Sequence, residues 1–207
     1  KLTFDTVLEA PEFRGQTAFG TEALRTNGDE AVYQKWCGVF ENEKALAVIN
    51  KGTYGGSVNG NTLNISLLRT PVNSAHPIGD RPLAYGDRSH DRIDIGEREF
   101  DFRLTSDTEF IDMQAEIFNQ PEIALSFFPS GAGEKKETRV EITNPDVILS
   151  RFCDAENGIR IRLFNSSDKP AETDFEIDGN SFSVSFGAFE VKTFIYTNGL
   201  FSETDMI

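Results

Sequence analysis

Ile159-Arg160-Ile161-Arg162-Leu163 places an apolar side chain at every second position, the period of a strand with one face in a core and the other in water. The same alternation recurs in Leu63-Asn64-Ile65-Ser66-Leu67, Phe100-Asp101-Phe102-Arg103-Leu104, Phe175-Glu176-Ile177 and Phe182-Ser183-Val184. Gly/Asn turn signals separate these runs: Gly55-Gly56, Asn59-Gly60-Asn61, Asn157-Gly158 and Asp178-Gly179-Asn180. Asn157-Gly158 and Asp178-Gly179 lie between apolar runs and read as hairpin turns. One segment departs from period two. From Thr108 to Phe118 the apolar residues Phe110, Ile111, Ala115 and Phe118 have helical spacing, which predicts a short helix before Pro121 with Asp107 or Thr108 as its N-cap. The fold class expected is all-β.

A boundary is expected within Pro129-Ser130-Gly131-Ala132-Gly133-Glu134-Lys135-Lys136-Glu137, which is small, polar and charged as exposed linkers are. Beyond it, roughly 60 residues with four or five short strands have the size of a small β-sandwich. The division is therefore 1–137 and 138–207.

Of 207 residues, 38% are hydrophobic and 26% charged, the balance of a globular chain rather than a disordered one. A net charge of −14 repels phosphate backbones and argues against nucleic-acid binding. No apolar run approaches the about 18 residues of a membrane span, and no secretory signal pattern opens the chain, so no membrane association is expected. The chain begins with Lys1 rather than Met, as a piece of a longer protein would. Cys37 and Cys153 lie far apart outside any CxxC pattern. They read either as two buried free thiols of a reducing compartment or as one long-range disulfide. The aromatic set of 18 Phe, 4 Tyr and 1 Trp favours a β core over a sugar-stacking platform.

The most polar stretch runs from Ala75 to Asp94, in a connection of about 25 residues, longer than compact domains usually carry. His76, His90, Asp80, Asp87, Asp91 and Asp94 are potential metal ligands, but Arg81, Arg88 and Arg92 stand among them. Three readings are open: an ordered Arg–Asp loop, a substrate or interdomain contact, and a metal site. No nucleophile elbow, zinc-protease, P-loop or dinucleotide motif is present. Two sequons, Asn64-Ile65-Ser66 and Asn165-Ser166-Ser167, would matter only in a secreted protein. The residues by themselves show no catalytic centre.

Five segments, in order, resemble the C-terminal β region of family 38 glycoside hydrolases, the α-mannosidases. They are Ala47-Val48-Ile49-Asn50-Lys51-Gly52-Thr53-Tyr54-Gly55-Gly56, Gly60 to Pro71 with its Ser66-Leu67-Leu68-Arg69 run, and His76-Pro77-Ile78-Gly79-Asp80-Arg81-Pro82-Leu83. Asp94-Ile95-Gly96-Glu97-Arg98-Glu99-Phe100 follows, and then Val147-Ile148-Leu149-Ser150 with Ala155-Glu156-Asn157-Gly158 and Ile161 to Asn165. The sequence departs from the family at Ala84-Tyr85-Gly86, where members often have Val-Pro-Gln before the Asp-Arg pair that matches Asp87-Arg88.

The resemblance implies the end of a galactose-mutarotase-like β-supersandwich (1–137) followed by a small β-sandwich (138–207). It also implies the last fifth to quarter of a bacterial, cytoplasmic enzyme that hydrolyses α-mannosides with retention. In that family the catalytic carboxylates and the zinc lie in an N-terminal region to which nothing here corresponds, so no catalytic residue, metal ligand or cofactor is expected in this chain. The matching position for an arginine that reaches the cleft is Arg69. Asp80, Arg81, Asp87 and Arg88 are the other substrate-binding candidates, and pairing of Arg69 with Asp80 or Asp94 is the structural alternative. The implied partners are the catalytic region of the same polypeptide and the α-mannoside, with room for a homo-oligomer. Two rivals are a self-standing carbohydrate-binding β-sandwich and a structural interaction domain.

Overall fold

The computed structural model describes residues 1–68, 96–123 and 140–205. In chain order these form β1 (Leu2–Asp5), β2 (Glu12–Thr17), β3 (Gly20–Ala23), β4 (Ala31–Val32), β5 (Trp36–Glu41), β6 (Lys44–Asn50), β7 (Gly55–Asn59), β8 (Thr62–Ile65) and β9 (Phe102–Thr105), followed by one helix, α1 (Ile111–Asn119). The strands β10 (Val140–Ile142), β11 (Val147–Ala155), β12 (Gly158–Asn165), β13 (Ala171–Ile177), β14 (Asn180–Phe186), β15 (Val191–Thr197) and β16 (Leu200–Thr204) complete the described fold. They assemble into four sheets, β1-β8-β7-β4, β3-β2-β5-β6-β9, β10-β13-β14 and β11-β12-β15-β16. Every pairing is antiparallel.

The alternation of side chains decides which surfaces meet. Cys37 and Val39 of β5 and Val48 of β6 point inward with Phe13, against Val58, Leu63 and Ile65 of the facing sheet. The residues between them, Trp36, Ala47 and Ile49, point the other way, where Ile111 and Ala115 of α1 cover them. The central strands β5 and β6 are therefore buried on both faces, between a second sheet and a helix. A separate core joins the last two sheets through Ile161 and Leu163, Phe194 and Tyr196, and Phe175 and Ile177. Phe201 stacks on Phe175, Phe182 and Phe194 with ring centroids 5.3, 4.8 and 4.4 Å apart, closing one end of that core.

Four expectations are corrected. Gly55-Gly56 opens β7 rather than forming a turn; the backbone takes a positive φ of 87° at Gly52 instead. Gly56 is small because a Cβ there would stand 3.0 Å from both the Asn64 carbonyl oxygen and the Tyr33 ring. Seven strands, rather than four or five, follow the expected boundary. Among these, β11 breaks its alternation at a register shift between Leu149 and Arg151, and β16 is largely exposed. Helix α1 begins at Ile111 with Phe110 at the N-cap in left-handed backbone and no side-chain cap. Asp107 instead accepts the Glu109 N–H at 3.2 Å and closes the turn before the helix, while the Gln114 side chain donates to the Asp107 and Glu109 carbonyls. Cys153 is partly exposed rather than buried; it and Cys37 are both free.

Gly38 lies on the helix-facing side of β5, opposite Ala47 of β6. A Cβ there would sit 2.8 Å from the Leu46 carbonyl oxygen and 2.9 Å from the Ala47 Cα, neither of which is a flexible side-chain end. Gly38→Ala should therefore lower the unfolding free energy by about 1–3 kcal/mol, the usual cost of overpacking, as measured by urea denaturation. A variant as stable as the parent would contradict this packing.

Candidate functional site

Arg69, Asp80, Arg81, Asp87 and Arg88 lie outside the described residues, as do His76, His90 and the Asp94 alternative. The described chain does fix where this segment departs and returns. It leaves after β8, in the sheet β1-β8-β7-β4, and re-enters as β9 at the edge of the facing sheet, next to β6. Its return is held by the Lys51 N–H donating to the Asp101 carbonyl at 3.3 Å, and by a loose Lys51–Asp101 ion pair at 3.9 Å.

Among the described residues the most organised polar cluster lies where α1 meets β2 and β5. Trp36 is only 2% exposed, so its indole N–H needs an internal acceptor. It donates to Asp112 Oδ1 at 2.9 Å. Gln16 Nε2 donates to the same oxygen at 2.7 Å, while Gln16 Oε1 accepts the Lys35 backbone N–H at 3.0 Å. One helical turn on, Glu116 is paired with Lys35 and accepts from Gln120 Nε2. Asn119 Nδ2 donates to the Asn50 carbonyl at 3.0 Å. Burial raises the Asp112 pKa above the ordinary carboxylate value, against the opposing effect of the Trp36 and Gln16 hydrogen bonds. A raised carboxylate is one half of a glycosidase pair. Here, however, Asp112 accepts two donors that need it, and Glu116, its neighbour on the helix, is held by Lys35. The cluster fastens α1 to the sheet.

Two other motifs have structural explanations. Asn165 is fully buried, and its Nδ2 donates to the Lys169 and Gly187 carbonyls at 2.6 and 2.8 Å while its Oδ1 accepts the Ser167 N–H. That sequon ties the end of β12 to its neighbouring loops and offers no free amide for a glycan. Asn64 Oδ1 accepts a hydrogen bond from Thr3 across the sheet at 2.9 Å. Desolvation pushes the Cys37 thiol up to about 12, so it is not a nucleophile at neutral pH. Among the described residues, no group of three or more His, Cys, Asp and Glu could hold a metal ion.

The sequence reading passed over Gln16 and Asp112. The available signal is weak: Asp112 and Glu116 are spaced one turn apart, and Gln16 shares its strand face with the exposed Glu12 and Arg14. In a chain with 34 acidic residues, such spacing does not stand out.

The described fold is essentially all-β, and its most organised polar cluster joins the helix to a sheet. Residues 1–77 match the model for the glycosyl hydrolases family 38 C-terminal domain. The fold is similar to that of an alpha-mannosidase from Enterococcus faecalis, with a TM-score of 0.66 at 12% identity over 92% of this chain and 25% of that one. At that identity the likeness is one of fold, and the chain spans a quarter of the other protein's length. A comparison with curated proteins gives no match. The first 77 residues thus carry the family 38 C-terminal match, and the fold over nearly the whole chain is shared with that alpha-mannosidase.

Two variants test the polar contacts. Because the folded-state pKa of Asp112 is raised, the folded chain keeps a proton that the unfolded chain has released. The stability this provides is full below the ordinary Asp value near 3.9 and is lost as pH rises through the raised value. Asp112→Asn should therefore gain stability relative to the parent as pH rises above the ordinary Asp value, in urea unfolding. A pH-independent difference would contradict it. Asn165→Ala removes the donor to the Lys169 and Gly187 carbonyls and the acceptor for the Ser167 N–H, and should cost about 1–3 kcal/mol. A loss under about 0.5 kcal/mol in the same assay would count against its role as a tie.

Proposed function

We propose that this chain is the non-catalytic C-terminal β region of an α-mannosidase, a bacterial and cytoplasmic enzyme. The observation that carries this reading is the family 38 C-terminal match over residues 1–77. The shared fold over nearly the whole chain, with a quarter of a bacterial alpha-mannosidase, supports it. In this reading residues 1–137 end a galactose-mutarotase-like supersandwich and residues 138–207 form a small sandwich that follows it. The separate cores of the described parts support that division.

Retaining hydrolysis of α-mannosides is then the work of the intact enzyme, whose zinc and catalytic carboxylates belong to another part of the polypeptide. The described residues hold no cluster fit for a metal, so no step is assigned to one here. This chain's contribution is support: a stiff β surface against the catalytic region, with Arg69 and the segment bearing Asp80, Arg81, Asp87 and Arg88 completing the cleft. A guanidinium suits that task because its forked donors fix a carboxylate or a pair of sugar hydroxyls in one orientation. No helix among the described residues is long and apolar enough to cross a membrane. A stacking platform for an independent sugar-binding module has thin support among the described residues, where Trp36, Tyr33 and Tyr196 are buried and Tyr54 is exposed.

In the intact enzyme, Arg69→Ala should lower kcat/KM on a nitrophenyl α-mannoside by about 10–100-fold, the worth of a charge-assisted hydrogen bond at the reacting sugar. Unchanged kcat/KM would remove Arg69 from the cleft and leave the family assignment untouched.

A further inference from the structure

Two bulky residues hold left-handed backbone where the first β unit meets the last. Phe19 has φ 60° in the turn between β2 and β3, and Phe189 has φ 53° in the connection between β14 and β15. Neither is glycine, asparagine or aspartate, the residues that tolerate this region at small cost. Such a conformation persists only where the surroundings fix it. The surroundings here are one another's units. The Phe19 ring meets Phe164 of β12 edge to face, with centroids 5.2 Å apart and planes at 77°. The Phe189 ring lies over Gly20, next to Phe19 in sequence, where a Cβ would stand 3.4 Å from its Cδ1. Each strained phenylalanine thus projects from its own unit and seats on the other.

The contact has a charged flank and a backbone brace. Arg14 of β2, bonded to Glu12 at 2.5 Å, also feels the carboxylate of Asp168 from the opposite unit, and both contribute to the upward shift of its pKa. The Phe189 N–H donates to the Ser167 carbonyl at 3.0 Å, which holds its loop in place from within its own unit. The β2–β3 turn therefore has an aromatic contact across the junction, with a weak charge attraction between Arg14 and Asp168 beside it.

We propose that Phe19 and Phe189 form a reciprocal aromatic lock that makes the two β units one rigid body, so the C-terminal sandwich is a fixed brace and not a tethered module. The lock rests on contact geometry within this chain and not on the mannosidase reading, so its test does not depend on activity.

The test is 15N relaxation of the whole chain, which reads the tumbling time of residues 1–68 and 140–205 separately. The parent should give one common time. The double variant Phe19→Ala/Phe189→Ala should give two, that of the C-terminal part falling by roughly a third toward the value for a domain of its own size. Unequal times in the parent, or a folded double variant whose two parts still tumble together, would overturn the lock. Should the double variant not fold, Phe19→Leu is read in the same way, since it keeps apolar bulk in the turn but gives up the ring edge on Phe164.

Discussion

Face-to-face burial of Phe13, Val39 and Val48 against Val58, Leu63 and Ile65 is the contact on which the first β unit depends. It holds two sheets together, and it leaves the opposite face of β5 and β6 apolar as well, so a second cover is required. Helix α1 is that cover. Its arrival buries the Trp36 ring, and the buried indole N–H then needs an acceptor, which Asp112 provides. The chain therefore places an acid in a dry location for the sake of packing, and the raised pKa of Asp112 follows from that place rather than from any reaction.

The same packing positions the segment that carries the expected cleft residues. β8 and β9, which flank that segment, belong to facing sheets. The second unit is organised differently. Neighbouring strands within its sheets are joined by tight turns, as at Asp178-Gly179 between β13 and β14, where both φ angles are positive, and its core is closed by stacked phenylalanines.

Physical circumstance decides how much of this could be read beforehand. β12, β13 and β14 are legible because each has one wet face, so Ile161 and Leu163 alternate with Arg160 and Arg162. β5 and β6 are not, because Trp36-Cys37-Gly38-Val39-Phe40 and Ala45-Leu46-Ala47-Val48-Ile49 are covered on both sides and need no polar alternate. A short motif beginning at Ala47 marks the end of β6 where periodicity cannot, and no motif marks β5. The helix was legible from Ile111, Ala115 and Phe118, but its start was not: Phe110 takes left-handed backbone that no propensity favours. Gln16 and Asp112 were invisible because their partnership spans 96 residues and exists only once the helix has docked. The expected cleft residues from Arg69 to Arg88 rest on resemblance alone.

A non-catalytic region that completes a larger enzyme makes a demand that neither an independent module nor a self-sufficient hydrolase would meet. The direct measurement is hydrolysis of a nitrophenyl α-mannoside by three preparations: this chain, the remainder of the enzyme without it, and the two co-expressed as separate polypeptides. The account predicts no turnover by the chain, little or none by the remainder, and recovered turnover when both are made together. Hydrolysis by this chain alone, or full activity of the remainder in its absence, would contradict it.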